Sequence, residues 1–175
     1  IYMLTDEGET VSGPLKRLLH PDDRIPNSRD RYYLMKYDVV TGLSERLTYG
    51  SHNVYLNDIS PDGKKLLCST SKPDITRCPF SLSSLFEIDL ATLQADTLVA
   101  WDAYLGSASY SPDGKQLLVT GSPSAFGGIG KNCGEHPIAN DFDTQAFIMD
   151  LATKKVQAIT RDFNPTVSPV QWNRV

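Results

Sequence analysis

The residues with the most chemical capacity lie in one segment, Phe126-Gly127-Gly128-Ile129-Gly130-Lys131-Asn132-Cys133-Gly134-Glu135-His136-Pro137. Its glycines invite a phosphate-cradling loop, but the full spacing of such a loop is absent and no helix signal follows. Cys133 and His136 have the C-x-x-H spacing of two metal ligands, and Cys78 is a third candidate. A tetrahedral zinc site would still need a fourth ligand that the sequence does not identify. Cys78 and Cys133 read alternatively as a disulfide pair or as two free thiols, while Cys68 reads as a buried small hydrophobe. His20 adjoins Pro21-Asp22-Asp23, where a His/Asp contact competes with a plain solvated loop; His52 is the remaining histidine. Asp22, Asp23, Asp74, Glu135, Asp141 and Asp143 are acidic loop residues that could meet a cationic ligand or simply be solvated. No Gly-x-Ser-x-Gly elbow occurs, so the nucleophile signature of an α/β-hydrolase is missing. No residue is therefore assigned a catalytic, cofactor-binding or metal-binding role, and no cofactor is expected.

The 175 residues are 40% hydrophobic and 22% charged, an ordinary globular composition long enough for a real core. The formal net charge is -4 with acids and bases interspersed, which offers no basic patch for nucleic acid. No apolar run reaches the roughly 18 residues that span a membrane. Three cysteines are too few for a disulfide framework.

The elements that must position these residues come from a repeat. Ser60-Pro61-Asp62-Gly63-Lys64 recurs as Ser111-Pro112-Asp113-Gly114-Lys115, an offset of 51 (111 − 60). A second marker, Asp with Thr three residues on, occurs at Asp38/Thr41, Asp89/Thr92 and Asp150/Thr153, with offsets of 51 (89 − 38) and 61 (150 − 89). In the first marker, Pro presets φ at the second position of a type I turn and Gly takes the left-handed conformation that closes a hairpin. In the second, the carboxylate accepts hydrogen bonds from the turn amides that follow it.

Between the markers the pattern has period two. Val54 to Ile59 and Leu105 to Tyr110 read as innermost strands A, and Leu66 to Ser69 and Leu117 to Thr120 as strands B. Leu85 to Asp89 and Phe147 to Asp150 read as strands C, and Leu47, Leu98 and Ile159 mark outer strands D. The aromatics Tyr32, Tyr33, Phe86, Tyr110, Phe147 and Trp172 lie on strands and read as core. One unit of about 50 residues is thus a four-stranded antiparallel blade. The fold class is all-β: a β-propeller segment of about three blades of a larger ring. The expected division is 1–49 (strands B to D of one blade), 50–100 and 101–160 (whole blades) and 161–175 (the start of the next, with Trp172 ending a strand A). Three blades and a strand do not close a ring, so further blades, or terminal strands exchanged in a homo-oligomer, are expected to cover the open edges.

Antiparallel order sends the B–C and D–A loops to one end of the blades. The B–C loops read as long, about residues 5–31, 70–83 and 121–144, which makes that face the place to look for function.

The Ser-Pro-Asp-Gly-Lys copies, each followed by an aliphatic strand and an Asp-x-x-Thr strand end, resemble blades of two groups. One is the Tol-type propeller; the other is the N-terminal propeller of prolyl oligopeptidase and dipeptidyl peptidase IV-like serine peptidases. Ser122-Pro123-Ser124-Ala125-Phe126-Gly127-Gly128, running through Ile138-Ala139-Asn140-Asp141-Phe142-Asp143-Thr144-Gln145, is similar to insertions in bacterial members of the peptidase group. That resemblance implies a parent serine peptidase whose Ser/Asp/His triad sits on a C-terminal α/β-hydrolase domain of the same protein. The propeller would gate access and help bind peptide substrate, and the location would be periplasmic or secreted. Dipeptidyl peptidases hold the substrate amino terminus with a Glu-Glu pair; none occurs here. The Tol-type alternative implies a non-catalytic propeller that docks protein or glycan.

Overall fold

The computed structural model describes residues 30–132, 141–163, 166–168 and 170–173, and the backbone of 2–6. The chain divides into two compact units, residues 1–55 and 56–175. In the first, β1 (Tyr2–Asp6), β2 (Tyr32–Tyr37) and β3 (Ser44–Arg46) form an antiparallel sheet in that order. Leu34 is its buried centre; its amide donates to the Thr48 hydroxyl at 2.9 Å, and its carbonyl accepts Leu47 N–H at 2.9 Å. The Arg46 guanidinium stacks 3.8 Å from the Tyr33 ring centre and 5.0 Å from that of Tyr49.

The other two sheets carry β4 (Val54–Ile59), β5 (Lys65–Pro73), β6 (Ser81–Asp89) and β7 (Ala95–Asp102), then β8 (Leu105–Tyr110), β9 (Gln116–Gly121), β10 (Gln145–Asp150) and β11 (Val156–Ala158). Each is four-stranded with neighbours in chain order. A tight turn at Ala125–Gly128 follows β9, with Phe126 and Gly127 left-handed at φ 55° and 75°.

The repeated turns work through their side chains. In Ser60-Pro61-Asp62-Gly63, Gly63 N–H donates to Ser60 C=O at 2.8 Å, and Gly63 sits at φ 72°. The Ser60 hydroxyl donates to Asp62 at 2.7 Å and accepts Lys65 N–H at 2.8 Å, so it ties the turn to the strand it opens. Ser111 repeats this with Asp113 at 2.6 Å and Gln116 at 3.0 Å. These hydroxyls hold the Asp62 and Asp113 carboxyls below the ordinary value of 3.8. The sequence pattern marked the serines but not this bridging role.

The C–D turns share a second design. Asp89 N–H donates to Gln94 C=O at 3.0 Å and Asp150 N–H to Lys155 C=O at 2.9 Å, while each carboxylate takes the amide of the Thr three residues on. The same geometry occurs in the first unit at Asp38. The residue after each Thr turns left-handed: Gly42 at φ 74°, Leu93 at 57° and Lys154 at 55°. A leucine there carries a backbone penalty that glycine avoids. Leu93→Gly is therefore expected to stabilise the protein by about 0.5–1 kcal/mol. A rise in the urea unfolding midpoint at constant m-value is the readout, and a fall would refute the strain.

One continuous core joins the second and third sheets: Leu67, Leu85 and Leu98 pack with Ala108, Tyr110, Leu117, Val119, Phe147 and Met149. That core covers the face of β6 that carries Leu85 and Glu87, and Glu87, which alternation places opposite the apolar Phe86 and Ile88, is only 5% exposed. Its carboxylate accepts the Tyr110 hydroxyl at 2.7 Å and Lys65 Nζ at 2.9 Å. Tyr110 also donates its amide to Asp58 at 2.8 Å, so one residue of β8 is held by two acids of the neighbouring blade.

The strands differ from expectation in two places. The second B–C loop is not 70–83: β5 runs to Pro73 and β6 starts at Ser81, in a ladder from Lys65↔Asp89 to Pro73↔Ser81. The extension is Thr70-Ser71-Lys72 against Leu82-Ser83-Ser84, which loses the apolar signal while backbone pairing continues. Trp172 lies outside any strand; its indole N–H donates to Ser109 C=O at 3.3 Å, beside β8 rather than in a ladder of its own. No helix among the described residues is long and apolar enough to cross a membrane.

Candidate functional site

A cleft of about 340 Å³ opens where the expected loop face should be. Three pieces build it: the β5–β6 tip at Arg77, Cys78 and Pro79; the β7–β8 corner from Val99 to Tyr104; and the start of the long loop at Ser124, Phe126 and Gly127. Two B–C loops and a D–A link thus meet, as alternating strand direction requires.

The corner owes its shape to a bulge. Ser83 pairs with Asp102 and Leu85 with Val99, so two residues of β7 face Ser84 alone. Bulges re-aim side chains and sharpen local twist. Trp101 absorbs the irregularity with φ 50°, and its amide is satisfied by the Ser84 hydroxyl at 2.9 Å. The Lys72 ammonium lies 4.0 Å from the centre of the indole, a cation–π contact from the extended hairpin.

Asp102 joins this corner to the long loop. One carboxylate oxygen accepts Tyr104 N–H at 2.8 Å and the other accepts Phe126 N–H at 2.7 Å. Phe126 is itself left-handed at φ 55°, and its ring packs edge-on to Phe147 at 5.1 Å. Two non-glycine residues in a sparsely populated conformation, in one cleft, are the kind of strain that marks functional sites. Ser124 donates its hydroxyl to Asp141, which closes the base of the loop.

Gly127 and Gly128 take left-handed φ of 75° and 88°, and Gly130 serves packing. A Cβ on Gly130 would lie 2.7 Å from the Gln145 side-chain oxygen, 2.9 Å from Phe147 and 3.0 Å from Pro123 C=O. The amide of Phe126 already holds the Asp102 carboxylate, so it is not open to a phosphate. The expected acidic candidates are engaged as well. The Thr76 hydroxyl and amide, with Arg77 nearby, hold the Asp74 carboxyl below its usual range. Asp143 accepts the Thr166 hydroxyl at 2.7 Å. Cys68 is fully buried, which pushes its thiol up to about 12. Cys78 is exposed on the hairpin tip. Cys133, Glu135 and His136, with His20, Asp22 and Asp23, lie outside the described residues, and so do the disulfide and zinc readings that need them. Among the described residues no cluster of three His, Cys, Asp or Glu side chains could hold a metal.

The sequence reading missed Arg77, Trp101, Asp102 and Tyr104. Ala100-Trp101-Asp102-Ala103-Tyr104 carries an aromatic pair around an acid, but only the bulge turns it into a corner.

No protein-family model matches the chain, and no curated protein does. Solved structures do. TolB from Acinetobacter baumannii is 21% identical with a TM-score of 0.51, over 75% of this chain and 27% of that one. Acylaminoacyl peptidase from Pyrococcus horikoshii is 18% identical with a TM-score of 0.50, over 75% of this chain and 21% of that one. The β-propeller domain of the trilobed protease from Pyrococcus furiosus is 19% identical with a TM-score of 0.46, over 73% of this chain and 34% of that one. The chain spans about a quarter of the length of the first two. At these identities the likeness is one of fold.

Proposed function

We propose that this chain, a β-propeller by fold like TolB and the peptidase propellers, is the non-catalytic, peptide-binding part of a prolyl oligopeptidase-family serine peptidase, with its loop face gating access to a C-terminal α/β-hydrolase domain. The cleft carries this reading: it joins aromatic walls, Trp101, Tyr104 and Phe126, to two charged groups, Arg77 and Asp102. Apolar clefts with a few convergent polar groups suit ligands of peptide size. The absence of a Gly-x-Ser-x-Gly elbow fits a domain that binds and does not cut. A periplasmic or secreted location goes with the reading, as does assembly with further blades or a second copy.

A fluorescent, N-acetylated decapeptide rich in Ala and Phe tests it by anisotropy. Saturable binding is expected, with the peptide left intact, and Tyr104→Ala should weaken it about tenfold, roughly 1.4 kcal/mol. Failure to bind the peptide, together with retention on a glycan surface, would overturn the reading in favour of the Tol-type alternative.

A further inference from the structure

The cleft is lined by charges of both signs. The β5–β6 tip supplies Arg77, about half exposed, which pairs with Asp74 at 3.9 Å. Thr76 engages the other oxygen of that carboxylate, through its hydroxyl at 2.6 Å and its amide at 3.1 Å. The Arg77 pair is long and runs through Nε alone, so the guanidinium is only loosely compensated, and its donors suit a planar carboxylate. Lys72, on the same hairpin, adds a second positive charge against Trp101. The β7–β8 corner supplies Asp102, whose oxygens each take one backbone amide. The same cleft has apolar lining from Pro79, Val99, Trp101 and Phe126.

We infer that this cleft is a subsite for the free carboxyl terminus of a peptide whose last side chain is apolar. The inference rests on the peptide-binding reading above and gives it an orientation. A terminal carboxylate lies on the same Cα as the last side chain, so a single residue can meet Arg77 and the aromatic wall together. An internal acidic side chain carries its charge at its own tip, where the wall needs an apolar group. Asp102 carries like charge to a terminal carboxylate, which leaves Arg77 as the place for that group. The strained backbone at Trp101 and Phe126 fixes the wall before the ligand arrives, which lowers the ordering cost of binding.

The probes are acetyl-Ala-Ala-Phe as the free acid and as its C-terminal amide, titrated calorimetrically into the chain at low and high salt. The acid is expected to bind about tenfold more tightly than the amide at low salt, with the gap narrowing as salt rises. Arg77→Gln should abolish the difference between acid and amide, and Arg77→Lys should keep part of it, because a lysine retains charge without the planar fork. Equal binding of acid and amide, or a difference that survives in Arg77→Gln, would overturn the inference and leave peptide binding standing. If neither probe binds, the peptide-binding reading falls too. Arg77 lies on an exposed tip, and far-UV circular dichroism of both variants should match the parent chain.

Discussion

Phe147→Ala is expected to destabilise the chain by about 3–5 kcal/mol, the largest effect of any single truncation in this fold. The ring is fully buried at the centre of the core between the second and third sheets. It also supports Phe126 across 5.1 Å and fills the space against Gly130, so the cavity would open directly beneath the cleft. Two readouts should move together. The urea midpoint should fall at unchanged m-value, and peptide affinity should drop even where the variant is still folded. Ile75→Ala, at a side chain 86% exposed, is the control and should stay within about 0.5 kcal/mol of the parent. A loss below about 1 kcal/mol for Phe147→Ala would mean that the two sheets do not share the core described above.

The second large effect belongs to Glu87. Glu87→Ala leaves the buried Tyr110 hydroxyl without its acceptor, and Lys65 without its carboxylate partner. Lys65 is nearly half exposed and can turn to water, so most of the cost falls on the tyrosine side. A loss of about 2–3 kcal/mol is expected. Glu87→Gln should cost less, because an amide oxygen can still accept the phenol. The triad also sets an alkaline limit. Burial, and then the Glu87 hydrogen bond, raise the Tyr110 phenol above its ordinary 10.0, so the folded state favours the neutral phenol. The Glu87 hydrogen bond raises Lys65 above 10.5. Both shifts have the same sign: their stabilisation is complete below pH 10 and is lost as pH rises beyond it. Urea unfolding at pH 8 and above pH 10 should show the decline, and Tyr110→Phe should blunt it. A profile flat through that range would argue against a buried phenol.

The blade repeat was legible in the sequence because its turns are local chemistry. Ser-Pro-Asp-Gly-Lys and Asp-x-x-Thr each bond within a few residues, so their spacing survives as text. Strands between them followed from alternation, and β4 and β8 run from Val54 to Ile59 and from Leu105 to Tyr110, the spans the pattern marks. What depends on a neighbouring sheet was not legible. Glu87 looks like a solvent-facing strand residue until the adjacent blade brings Tyr110 to it. The far end of β5 looks like a loop because backbone pairing needs no apolar side chains. The cleft is the clearest case. Its parts, Arg77, Trp101, Asp102 and Phe126, come from three connections, and their meeting depends on a bulge that no spacing announces.

The long β9–β10 connection bears on how such a face changes over time. It covers residues 122–144, 23 residues (144 − 122 + 1), where the β5–β6 connection covers 74–80, seven residues (80 − 74 + 1). Loop-closure entropy grows only with the logarithm of length, so by (3/2)RT ln(23/7) the longer loop costs about 1 kcal/mol more. The ladder it leaves and re-enters, from Gly121↔Gln145 to Gln116↔Asp150, pairs without interruption. A hairpin tip on this face can therefore be rewritten or lengthened at little thermodynamic cost while the sheet beneath keeps its register, leaving recognition free to diverge while the scaffold stays the same.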